Sequence, residues 1–155
     1  MKKTPKYLAI ACLATIVIIQ FVPVELPENN SDTSMGISHT ENAPDEIKLI
    51  LSKSCYDCHS NQTIYPWYSK VAPVSWLVAR DIRLGRDEVN FSEWGELSKR
   101  KKIKILSEIA EKVGEKRMPL RIYTFVHKDA ILAQHEIKTL SNWTKSLTDK
   151  ILDGD

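Results

Sequence analysis

Cysteine is scarce in this chain: Cys12, Cys55 and Cys58 are the only three in 155 residues. Cys12 lies in an apolar N-terminal run and the other two share one short motif, so no disulfide framework is available. Charge of one sign is also missing. The net charge is +2, and three of the 22 basic residues, Lys2, Lys3 and Lys6, precede the first apolar run. There is no global field to draw in nucleic acid and no base-reading motif. No segment alternates apolar and polar residues as a strand does, and there is no internal repeat. Methionine is rare too, limited to Met1, Met35 and Met118. No acid–base constellation of a catalytic kind is evident, which argues against an enzyme. Hydrophobic content of 43% and charged content of 27% are ordinary for a globular chain and exclude a disordered one.

What is present is one concentrated motif. Cys55-Tyr56-Asp57-Cys58-His59 reads C-x-x-C-H, the attachment pattern for a c-type haem. Two thiols spaced on one helical turn reach the two vinyl groups along one edge of the ring and form thioethers. The adjacent His59 presents its imidazole to the iron as proximal ligand. A zinc site would need a second ligand pair, for which only His127 and His135 offer themselves. A thioredoxin-like redox pair would need a βαβ neighbourhood, which is absent.

The N-terminal run is Tyr7 to Val24, 18 uncharged residues with Gln20 as the main polar group. At ~1.5 Å per residue it just reaches across a hydrocarbon core of ~30 Å. Lysines precede it, and Glu25 and Glu28 follow. This predicts a single-pass signal-anchor in the cytoplasmic membrane with the rest of the chain facing the periplasm, where covalent haem attachment takes place in bacteria. A cleaved signal and a lipoprotein lipidated at Cys12 are the competing readings. The predicted organisation is a basic cytoplasmic stub (1–6), a transmembrane helix (7–24), a flexible tether (25–42) and a folded domain (43–150). The tether reading rests on Pro27 to Asn42, rich in Asn, Ser and Thr.

Within the domain, Pro44-Asp45-Glu46 opens a helix that runs into Cys55. A second starts at Pro73 or Val74 and stops at Gly85. Asn90 to Trp94 reads as a capped turn, and Ser98 caps a third helix ending at Gly114. A last helix spans about Asp129 to Leu147. The predicted fold class is all-α, a bundle of about four helices around one haem, preceded by the transmembrane helix.

These features resemble a class I cytochrome c. They resemble more closely a small bacterial, membrane-anchored haem-binding domain family with one CxxCH. The likeness rests on Cys55 to Asn61, Pro66-Trp67-Tyr68-Ser69, Pro73-Val74, Phe91-Ser92-Glu93-Trp94, Met118-Pro119, Tyr123, His127 and the helix from Glu136 to Trp143. It implies haem binding over roughly Pro44 to Lys145.

Met118 is the predicted distal ligand, since a soft thioether suits a haem paired with His59 and Pro119 stiffens its loop. His127 is its substitute. The metal ligands expected are thus His59 and Met118. Trp67 and Trp143 are expected to contact the haem, Pro66 or Pro73 to accept the free N–H of His59, and Arg80, Arg83, Arg117 or Arg121 to meet the propionates. The basic run Lys99-Arg100-Lys101-Lys102 with Lys104 suggests docking of a redox partner protein. The activity expected is one-electron transfer by one covalently held haem c with His/Met-ligated iron. The competing activity is a gas sensor or peroxidase-like protein with a labile distal position.

Overall fold

The computed structural model describes residues 4–154. Among them every regular element is helical, in line with the predicted class. The helices are α1 (Thr4–Ile19), α2 (Ile37–Thr40), α3 (Asp45–Ser54), α4 (Tyr56–His59), α5 (Val74–Glu88), α6 (Lys99–Gly114), α7 (Arg121–Val126) and α8 (Gln134–Asp153). Short 3-10 turns at Trp67–Lys70, Phe91–Glu96 and Lys128–Ala130 join them.

The core is built from α3, α6 and α8. Ile47, Ile50 and Leu51 of α3, Ile105, Leu106 and Val113 of α6, and Ile137, Leu140 and Leu147 of α8 form one buried cluster. Their spacing is that of one helical face, so each helix buries a stripe and leaves its charges in water. Trp94 sits fully buried in the same cluster, and its indole N–H donates to Glu41 Oε1 at 2.7 Å. Lys102 lies 5.5 Å over that ring and pairs with Glu41 at 3.2 Å. Within the basic run Lys102 faces inward, and Lys104, paired with Glu108 at 3.5 Å, stays exposed with Arg100 and Lys101.

Two boundaries depart from expectation, and one helix is unannounced. Ser98 and Asn90 cap as read, their side chains accepting from Lys101 N and Ser92 N. Gly85, however, does not stop α5, which continues to Glu88. The last helix starts later, at Gln134, and α7 had no periodic signal to announce it. The segment read as a tether is laid against the domain. Ile37 is fully buried, Asn30 N donates to Asn61 O, and Arg83 and Arg86 donate to the carbonyls of Glu25 and Glu28. Polar composition hid this, because the segment docks through backbone groups, the polar side chains of Asn29, Ser38 and Glu41, and one isoleucine.

The transmembrane helix is a correction. Among the described residues no helix is long and apolar enough to cross a membrane. α1 has 16 residues, ~24 Å of rise against the ~30 Å needed. After Ile19 the backbone tightens, with Gln20 N, Phe21 N and Val22 N each bonding only three residues back, and Pro23 has no N–H to continue the helix. The Gln20 side chain docks beside it, its Nε2 donating to Ala72 O and its Oε1 accepting from Ala72 N, both at 3.0 Å. Phe21 to Val24 are not helical. The single-pass anchor, and the localisation drawn from it, are therefore not supported. Of the basic stub, Lys2 and Lys3 lie outside the described residues.

Candidate functional site

Cys55 ends α3 and opens the single turn of α4. Cys58 N and His59 N both donate back to Cys55 O, at 3.2 and 2.9 Å, which closes the motif into one turn. Both thiols are free. Burial pushes Cys55 up to about 12; it also pushes Cys58 up to about 11, helped by the charges of Asp57 and Asp81. Both are thus neutral thiols at neutral pH, unlike an activated redox pair. No group of three or more His, Cys, Asp or Glu side chains is placed to hold a metal ion among the described residues, so the zinc reading has no ligand set.

His59 is oriented from behind. Its Nδ1 lies 2.8 Å from Gly85 O and 3.3 Å from Val89 O. A carbonyl can only accept, so Nδ1 carries the hydrogen and Nε2 keeps its lone pair free. Burial lowers the pKa of His59, outweighing the two carbonyls that raise it, and so favours neutral imidazole. Phe91 flanks the ring at 6.0 Å. The acceptors are the end of α5, not Pro66 or Pro73. This close approach requires glycine: a Cβ on Gly85 would stand 2.4 Å from Cys58 O.

Two adjoining cavities open in front of His59. One of about 80 Å³ is bounded by Cys55, His59, Ile105, Ile109, Met118 and Leu132. The other, about 290 Å³, is bounded by Cys58, His59, Arg80, Leu84, Met118 and Tyr123. His59 and Met118 line both, so the two form one recess. Met118 reaches it because α6 ends abruptly. Arg117 N and Met118 N both turn back to Lys112 O, and Lys116 takes a left-handed backbone at φ 57°. A third cavity, about 260 Å³ and largely apolar, lies beyond Cys58 and Tyr123.

The predicted residues divide accordingly. Cys55, Cys58, His59 and Met118 come together. Trp67 does not join them; it is 79% exposed and edges onto Tyr68. Trp143 packs against the helical core instead. Neither lines the three cavities. His127 lines only the third, where its Nε2 bonds Tyr68 Oη. Of the arginines, Arg80 alone lines the recess; Arg83 holds the N-terminal segment and Arg117 pairs with Glu111 and Glu115. The walls that no sequence motif singles out come from α6, through Ile105 and Ile109, and from Gly85.

The donor set suits a haem: two neutral thiols a turn apart, a neutral imidazole with one nitrogen free, a thioether, and apolar walls. Comparison with known proteins agrees. The haem-binding domain family matches residues 14–146, most of the chain, and the chain belongs to that family. The match takes in the segment read as a tether. No curated protein and no solved structure matches the chain.

Proposed function

We propose that this member of the haem-binding domain family holds one haem c covalently through Cys55 and Cys58 and serves one-electron transfer. The observation that carries the reading is the gathering of Cys55, Cys58, His59 and Met118 around two cavities that share His59 and Met118, with His59 Nδ1 fixed on Gly85 O. When bound, the haem supplies a single reversible electron at its iron. The chain's residues do the rest. His59 offers Nε2 as proximal ligand, and Met118 offers its sulfur as distal ligand, a pairing that favours the ferrous form. Gly85 O and Val89 O keep the imidazole in one tautomer and one plane. Ile105, Ile109 and Leu132 exclude water on the Cys55 side, and Arg80 stands where a propionate can be paired. With His59 and Met118 both held by the fold, the protein would need little rearrangement on electron transfer. No proton need be moved by the protein, so the proposal is a carrier rather than an enzyme, working with a redox partner protein.

The test is extraction and spectroscopy of the haem-loaded protein. Haem should survive acid–acetone extraction and denaturing electrophoresis, and the Cys55→Ala/Cys58→Ala double variant should lose it. The ferric form should be low-spin with a near-infrared sulfur-to-iron band that Met118→Ala removes. A wild type that yields extractable haem, or zinc, ends the covalent reading. A wild type that is high-spin and binds carbon monoxide freely moves the gas-sensing or peroxidase-like reading ahead.

A further inference from the structure

α7 is a helix without a core. None of its residues is buried: Ile122 is 56% exposed, Phe125 75% and Val126 58%. Yet the segment that contains it begins with Met118 and must hold that side chain in the recess. Apolar burial does little of this, because Phe125 is exposed and Ile122 and Val126 line the third cavity and not a packed core. What ties α7 down is polar. Tyr123 Oη donates to Asp57 Oδ2 at 2.7 Å, across 66 residues of sequence. Asp57 is an inner residue of the CxxCH turn, and its other oxygen accepts from Ile64 N at 2.9 Å. The Tyr123 ring is backed by His127, stacked at 4.4 Å and 15°, and His127 is held in turn by Tyr68. Tyr123 also lines the same recess as Met118, Cys58 and His59.

We propose that Tyr123 is a positioning residue: its hydroxyl, bonded to Asp57, latches the Met118 loop to the very turn that carries the haem attachment. The proposal rests on the reading of Met118 as distal ligand. The latch fixes distance as well as contact, because the acceptor lies between the two cysteines. Any movement of the loop away from the iron must first break a hydrogen bond to a charged acceptor, the strong kind. Desolvation, followed by the bond to Asp57 and its charge, raises the pKa of Tyr123, which keeps it a donor.

The experiment uses the haem-loaded protein in four forms: wild type, Tyr123→Phe, Met118→Ala and Phe125→Ala. Phe125 is on the same helix but exposed. Two quantities are read, the cyanide association rate of the ferric protein and hydrogen exchange of the amides over Arg121 to His127. Tyr123→Phe should raise the cyanide rate at least about ten-fold, the size of one lost charge-assisted hydrogen bond. It should also speed exchange across α7, while Phe125→Ala leaves the rate at the wild-type value. Should Tyr123→Phe fail to load haem, Asp57→Asn removes the charged acceptor and is judged by the same threshold. If Met118→Ala opens the iron but Tyr123→Phe leaves the rate within about two-fold and exchange unchanged, the latch is wrong and the ligand assignment stands. If Met118→Ala itself changes neither the sulfur band nor the cyanide rate, the ligand assignment falls and the positioning role falls with it.

Discussion

Gly85→Ala should destabilise this protein, although helix propensity alone argues the opposite. Gly85 lies inside α5, where alanine is favoured over glycine by about 1 kcal/mol. Against that gain stands the packing. An added Cβ would meet Cys58 O at 2.4 Å, Cys58 C at 3.0 Å and Cys58 Cβ at 3.2 Å. Two of these atoms are backbone in a turn closed by its own hydrogen bonds, so no flexible side chain can give way. Overpacking of this kind costs about 1–3 kcal/mol. Moving α5 away also stretches the His59 Nδ1 bond to Gly85 O, worth about 0.5–1.5 kcal/mol. The net expectation is a loss of about 1–3 kcal/mol. Urea unfolding of the haem-loaded protein, followed by tryptophan fluorescence, measures it as a lower midpoint at unchanged slope. Gly114→Ala is the control. A Cβ there meets nothing within 4 Å, so that variant should be neutral or gain up to about 1 kcal/mol. A Gly85→Ala protein at least as stable as wild type would refute the close approach of α5 to the motif.

Other expectations follow from the same structure. Ile37 is fully buried, so Ile37→Ala should cost about 2–5 kcal/mol by denaturant midpoint; a residue in a free tether would cost less than about 0.5 kcal/mol. Trp94→Ala should cost about 3–5 kcal/mol by the same measurement, since it empties the core centre and leaves Glu41 without its indole donor. Glu136 gives a pH test. Burial raises its carboxyl, but the Lys53 ammonium at 2.6 Å and the Ala133 N–H at 2.8 Å outweigh that and hold it below the usual carboxylate range. A depressed folded pKa means stability present above the unfolded value, about 4.3, and lost as pH falls through the folded one. Glu136→Ala should therefore be less stable at neutral pH and should lose less stability on acidification, as unfolding midpoints taken at pH 7 and pH 3 would read.

Sequence spoke most clearly where structure is local. The caps at Ser98 and Asn90 depend on residues within a few positions of one another, and both are present. The apolar run at Tyr7 to Val24 misleads because hydropathy counts residues but not where the helix ends. The backbone tightens after Ile19, Pro23 cannot continue it, and the Gln20 side chain docks on Ala72, 52 positions away. The same distance hid the docking of residues 25–42, whose carbonyls are held by Arg83 and Arg86 across 58 positions.

The site repeats this division on a smaller scale. Cys55, Cys58 and His59 announce themselves because one helical turn must present all three at once. Met118 could be singled out by scarcity. Trp67 and Trp143 were chosen for ring size, a property that says nothing of direction, and they point elsewhere. Gly85 was the more informative residue, and its signal was available in kind: a glycine inside an amphipathic helix marks either a stop or a close approach. Composition favours the stop, since Arg86 and Asp87 follow it. Only the third dimension shows that the backbone of the motif comes against Gly85 from the other side. The two contributions are not independent. A carbonyl can bond the imidazole of His59 only if α5 comes this near, and α5 can come this near only without a side chain. The orientation of His59 is thus set by an atom the sequence omits, 26 residues from the histidine it orients.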